Sequence, residues 1–111
     1  MKIDIAKDFS PKPFGRDEQD RTKFHGKRFR EEVLSPLFEE AAHEDIEVYL
    51  DNVERGYGSS FFEEAFAGLL RHGVSYDAVK QRLKIKTSND DYYDEIWEYI
   101  EDEALRQKAG S

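Results

Sequence analysis

The segment Gly56-Tyr57-Gly58-Ser59-Ser60 holds the residues best placed to do chemistry. Its hydroxyls come just before an apolar-periodic run of Phe62, Phe66, Leu69 and Leu70. Amide N–H groups at a helix N-terminus converge and attract anions. A serine hydroxyl set there is a candidate phosphoacceptor, because the helix dipole favours the added negative charge. A purely structural reading stands beside this one: Ser59 is a turn residue and Ser60 forms a capping box with Glu63. The segment is not a P-loop, since no Gly-Lys-Ser/Thr follows. Nor is it a nucleophile elbow, which needs glycine where Phe61 stands. Gly56 and Gly58 are expected to use backbone angles that other residues avoid.

Other chemistry is thinly represented. Cysteine is absent, which removes thiolate nucleophiles, disulfides and Cys-type metal sites. His25, His43 and His72 are far apart and lack the short spacing of zinc ligands. Glu63/Glu64 and Asp90/Asp91 could bind a hard cation, but an exposed acidic helix face explains them more simply. No Ser-His-Asp set has sequence support. The expectation is a protein that is not an enzyme and uses no cofactor or metal.

These residues need elements to position them. Ile3 and Ile5 alternate with charges and predict a short first strand. Residues 8–27, with Pro11, Pro13, Gly15 and Gly26, read as a long loop or a hairpin around Asp17–Asp20. From Lys27 to Ala42, Phe29, Val33, Leu37 and Ala41 share a helical face, which Pro36 should kink or split near Ser35. Ile46, Val48 and Leu50 alternate with polar residues and form the clearest strand. A helix follows the Ser59 turn, with Ala65 and Ala67 allowing close packing and Gly73 at its end. Ser75 caps a short helix, Arg82–Thr87 reads as a strand, and Asn89 or its neighbours cap a final helix. That helix buries Ile96 and Ile100, and its tail is expected to fray past Glu103. Of Phe61/Phe62, one is expected in the core and the other at the rim, and a rim Phe61 would anchor a partner.

Strands alternating with helices predict an α/β fold, a small single-layer mixed sheet packed by helices. The chain of 111 residues is read as one domain, 1–111. Its net charge of −8 disfavours general nucleic-acid binding. The charge is uneven: residues 1–30 hold nine bases against five acids, while Asp90 to Glu103 has eight acids and no base. No apolar run approaches the ~20 residues of a membrane-spanning helix. Met1–Ile5 lacks the apolar centre of a signal peptide. With no cysteine, this predicts a cytoplasmic protein.

Ile46–Asp51 followed by Gly58-Ser59-Ser60-Phe61-Phe62-Glu63-Glu64-Ala65-Phe66-Ala67-Gly68-Leu69 resembles the STAS-like domain family of uncharacterised bacterial and phage-associated proteins. The resemblance is strongest over 46–100. The family is similar in turn to the STAS domains of anti-sigma factor antagonists. In those, a serine at this turn is phosphorylated by a kinase that is also the partner, and Ser59 is the matching position. The antagonists place Asp where Gly58 stands and Gly where Phe61 stands. The resemblance implies a regulatory protein-interaction module, monomer or homodimer, that binds through Gly56, Tyr57, Gly58, Ser59, Ser60 and Phe61. Its implied partner is an ATP-binding kinase-like regulator. The alternative is a phage or mobile-element inhibitor whose acidic helix, at Glu95, Glu98 and Asp102, blocks a basic groove on a host protein.

Overall fold

The computed structural model describes residues 1–40 and 44–110. Strand β1 is Lys2–Asp4 and runs into a tight π turn, Ile5–Phe9. Helix α1 joins Gly26–Phe29, a π segment Arg30–Leu34, and Ser35–Glu40. Strand β2 is Ile46–Tyr49. Helix α2 is built the same way from Ser59–Phe62, Glu63–Ala67 and Gly68–Arg71. Then come α3 (Tyr76–Arg82), β3 (Leu83–Lys86) and α4 (Asp90–Ala109). The predicted helical positions Ala41 and Ala42, and His43, lie outside the described residues.

The sheet runs in the order β1-β2-β3. Both pairings are parallel, so the α/β single sheet is as expected but its strands are not mixed. Each strand returns through helix, and such crossovers are what parallel neighbours require. The register sets Ile3 beside Val48 and Val48 beside Ile85. These residues, with Ile46 and Leu83, face a core of Phe29, Leu34, Phe62, Phe66, Leu69 and Ile100. The opposite face carries Lys2, Asp4, Glu47, Tyr49, Lys84 and Lys86, none of them buried. Parallel sheets usually bury both faces. The burial alternation along β2 and β3 shows that this one buries a single face.

Local chemistry explains several boundaries. Pro36 neither splits nor ends α1. A π segment stands just before it, with the Ser35 amide donating to the Arg30 carbonyl, and the helix resumes at Ser35. Gly73 ends α2 at φ 102, while the Val74 amide reaches back to the Leu69 carbonyl at 3.0 Å. Ser75 and Asn89 cap α3 and α4 as expected. Arg82 ends α3 and starts no strand. Its guanidinium donates to the carbonyls of Glu44, Phe38 and Leu37 and closes the C-terminal side of α1.

The chain between the π turn and α1 is the long loop expected, without the alternative hairpin, whereas the C-terminal tail departs from expectation. The arms of the loop are tied by Phe14–Phe24, Gly26–Gly15 and Lys27–Arg16 backbone bonds around a short 3-10 turn, Glu18–Asp20. The C-terminal tail does not fray. Glu103 is buried, and the Gln107 side chain donates to the Leu70 carbonyl at 2.8 Å, pinning α4 to the end of α2. Among the described residues, no helix is long and apolar enough to cross a membrane.

Candidate functional site

The turn after β2 is braced before it reaches the serines. The Asp51 carboxylate accepts from the Ser88 amide at 3.1 Å and from the Ser88 and Thr87 hydroxyls, tying the carboxyl ends of β2 and β3 together. Asn52 takes the left-handed region at φ 72, where asparagine is tolerated. An open cleft of about 560 Å³ lies here, bordered by Asp51, Asn52, Arg55, Ser88 and Tyr92. Ligands of open α/β sheets bind at this end of the strands.

Tyr57 is a strut rather than a free contact. Its hydroxyl donates to the Leu50 carbonyl at 2.8 Å, and its ring stacks on Phe62 and meets Tyr92 edge-on. Burial pushes its phenol well above the ordinary tyrosine range. Gly56 stands close to Tyr92: a Cβ there would sit 3.2 Å from the Tyr92 hydroxyl, a tight contact. Gly58 is different. Its φ of −92 and ψ of 157 suit any residue, and a Cβ would meet nothing. Positive φ among the glycines occurs at Gly15 and Gly73, so neither glycine of this turn uses glycine-only angles.

Gly58 is the N-cap of α2, and no side chain caps the helix. The Ser60–Glu63 capping box therefore does not form. Ser60 lies inside the first turn, two positions past the cap, and Glu63 is committed elsewhere. Ser59 and Ser60 are both exposed. Among the described residues no side chain accepts from the first-turn amides, which leaves the positive end of the dipole available.

Ser59 has neighbours that the sequence did not point out. Its hydroxyl lies against the phenol of Tyr99, which in turn donates to the Glu95 carboxylate at 2.9 Å. Contact with Ser59 favours the phenolate, but burial and the Glu95 charge outweigh it and hold the phenol up. The i, i+4 spacing of Glu95 and Tyr99 shows that they can meet on one face of α4. Only the packing of α4 across α2 shows that this face meets Ser59.

Phe61 is fully buried, as is Phe62. The proposed aromatic anchor is therefore a correction. Rings of Phe9, Phe29 and Tyr57 pack around Phe61 within 6.4 Å. The N-terminal π turn and α1 cover this side of α2, and nothing in the local spacing of Phe61 announces that cover.

The acidic pair one turn further along is also not an exposed face. Glu63 accepts from Arg71 at 2.6 Å and from Arg16 at 2.7 Å. Glu64 pairs with the buried Arg30, whose guanidinium also donates to the Glu64 carbonyl at 2.8 Å. Arg71 continues to Glu103 at 2.9 Å, and Arg106 joins Glu103 at 3.1 Å. Burial alone would push the Glu63 carboxyl up, but the hydrogen bonds from Arg71 and Arg16 override it and hold it down at about 2. Gly68 makes the arrangement fit, since a Cβ there would lie 2.4 Å from Arg30 Nη1. Gly26 lets α1 approach α2, since a Cβ there would lie 2.6 Å from the Phe61 carbonyl oxygen. Asp90 and Asp91 are exposed in the first turn of α4 as expected.

Together these features define a small α/β domain. Its parallel sheet is packed on one face by helices, and an exposed serine pair opens the central helix. The chain belongs to the family described as the STAS-like domain of unknown function, which it matches over residues 25–93. The match begins upstream of the segment that carried the resemblance, takes in α1, and ends within α4. No curated protein and no solved structure matches the chain.

Proposed function

We propose that the chain is a non-enzymatic regulatory module that binds a protein partner through Gly58, Ser59 and Ser60 and the rim of the adjoining cleft. The carrying observation is the exposed Ser59 hydroxyl on a helix N-terminus that no side chain caps. Ser59 is the proposed phosphoacceptor. An ATP-binding kinase-like partner would transfer the γ-phosphoryl group to Oγ, with ADP leaving and the hydroxyl proton passing to a base on the kinase. Phe61 drops out of the binding surface because it is buried.

The surroundings of Ser59 give the modification a way to act. A phosphate there is attracted by the first-turn amides of α2. It is repelled by the Glu95 carboxylate on the far side of Tyr99. Phosphorylation would draw charge toward α2 while pushing on α4, and so change the surface that both helices present.

Pull-down from native lysate with wild type, Ser59→Ala and Ser59→Glu tests this reading. The partner is expected to be retained by wild type and Ser59→Ala and to be lost or exchanged with Ser59→Glu. Identical partners and affinities for all three would discard the surface and the switch.

A further inference from the structure

The sheet has two outer edges, and the chain treats them differently. On β1, the outward-facing Asp4 amide donates to the Asp8 carboxylate at 2.8 Å, and the chain curls into the Ile5–Phe9 turn directly after it. The β3 edge has no such cover. The Leu50 amide donates to the Lys86 carbonyl at 3.0 Å. Successive residues of a strand turn their backbone groups to opposite sides. Lys84 and Lys86 therefore face β2, and Leu83 and Ile85 face outward. The Leu83 amide is used by the Val79 carbonyl at the end of α3. The Leu83 carbonyl and both backbone groups of Ile85 have no hydrogen-bond partner among the described residues.

A groove of about 230 Å³ runs along this edge, between Lys80 of α3 and Tyr93 and Trp97 of α4. Tyr93 is 45% exposed, unusual for an aromatic with no covering element. The Trp97 indole N–H is buried without a hydrogen-bond partner among the described residues. Lys84 and Lys86 project onto the uncovered face of the sheet, and neither has an ion-pair partner among the described residues.

We infer that β3 accepts a fourth strand from a partner protein, an extended segment in which acidic residues alternate with apolar ones. The outward backbone groups of Leu83 and Ile85 supply the main-chain hydrogen bonds of strand addition. The lysines supply the selection. On the uncovered face, the incoming side chains stand beside Lys84 and Lys86, where opposite charge is favoured and like charge is not. On the other face they meet Ile85, Tyr93 and Trp97, which favour apolar groups. A second copy of this chain is a poor occupant, because β3 against β3 sets lysines beside lysines. Edge lysines deter indiscriminate pairing, and here they leave the acidic strand as the one admitted. The surface is separate from the Ser59 turn. Tyr93 and Trp97 lie two positions from Glu95 and Tyr99, on the opposite flank of α4. The inference therefore stands whether or not Ser59 is a switch.

Trp97 is the single tryptophan and lies in the groove, so it reports binding directly. Titration of the full chain with a synthetic peptide of alternating glutamate and valine is expected to change its emission saturably. It is also expected to slow hydrogen exchange at the Ile85 amide. Lys84→Glu combined with Lys86→Glu should weaken binding about tenfold or more, and raised salt should weaken it in the same direction. Neither lysine is buried, and an unchanged circular dichroism spectrum verifies the fold of the variant. A fully N-methylated peptide should not bind. Flat emission up to about 1 mM peptide, or equal binding of the N-methylated peptide, overturns the proposal. So does self-association that protects the Ile85 amide, which would make the edge an interface between copies.

Discussion

Ser59/Ser60 and Glu63/Glu64 are two polar pairs one turn apart on the same helix, and they have opposite fates. The serines are exposed, and no side chain caps the turn they open. The glutamates are largely covered and answered by Arg16, Arg30 and Arg71. Arg71 comes from the last turn of the same helix, but the rest of the difference arises outside it. The N-terminal segment and α1 lie over the glutamate turn and bring arginines with them, whereas the serine turn points past the end of the sheet. A polar pair that is already answered is structure, and a polar pair left open is what the proposed binding surface rests on. The basic excess of residues 1–30 belongs to the first kind in part, because Arg16 and Arg30 are spent on internal carboxylates.

The contrast can be broken hardest at Phe61. It sits on the boundary between the two turns and is wholly covered. Phe61→Ala is expected to destabilise the fold by about 3–5 kcal/mol, read as a lower urea midpoint with an unchanged slope. A loss under about 1 kcal/mol would return Phe61 to the surface and to the partner site.

Next comes Glu64→Ala, which strips the nearer carboxylate from the buried Arg30 and leaves it only the exposed Glu31 at 3.8 Å. An unpaired buried charge costs about 3 kcal/mol or more, so urea unfolding should show a loss of that order. Arg30→Met combined with Glu64→Leu should recover most of it, because the isolated charge is the expensive part. If the double variant is no better than the single one, the network contributes more than neutralisation.

Which parts of this were legible in the sequence depends on the range of the interaction. The alternation of Ile46, Val48 and Leu50, the caps at Ser75 and Asn89, and the terminal Gly73 are local signals, and each locates its element. Ser59 at a helix N-terminus after a strand is local too, and it was readable. The cover over Phe61 is not local. It depends on Phe9 and Phe29 arriving from earlier elements. The burial of Glu63 and Glu64 depends on arginines up to 48 residues away, so helical spacing alone sees only a charged face. Tyr99 and Glu95 entered the site in the same way, through the packing of α4 on α2. Parallel pairing and the helical tail likewise follow from how elements stack, which periodicity does not report.

Acid sharpens the comparison more gently. The Glu63 carboxyl lies at about 2 when folded, below its ordinary value near 4.3 when unfolded. The unfolded chain therefore takes up protons first as pH falls. The stabilisation is complete above about pH 5, falls progressively, and is gone only below the folded value of about 2. With solvent screening of this partly open network, the loss is about 1–2 kcal/mol. Urea midpoints measured across that window should fall in wild type and fall less in Glu63→Gln. Parallel curves would assign the acid sensitivity to other carboxylates.

The smallest stability effect is the most informative. Ser60 does not cap α2, because Gly58 occupies that position. Removal of a true serine cap costs about 1 kcal/mol. Ser60→Ala should therefore change stability by less than about 0.5 kcal/mol, the range of ordinary surface substitutions. Ser59→Ala should behave alike, since its contact with Tyr99 lies at the surface. Gly58→Ser makes the converse test: its φ and ψ accept a side chain, and there is room for one. It should stabilise the protein by a few tenths of a kcal/mol by capping the helix. The new hydroxyl would also occupy the first-turn amides. If those amides serve to hold a charged partner group or a phosphate on Ser59, the more stable Gly58→Ser protein should bind its partner less well. Stability and binding would then move in opposite directions at one residue, an outcome that a purely structural turn would not produce.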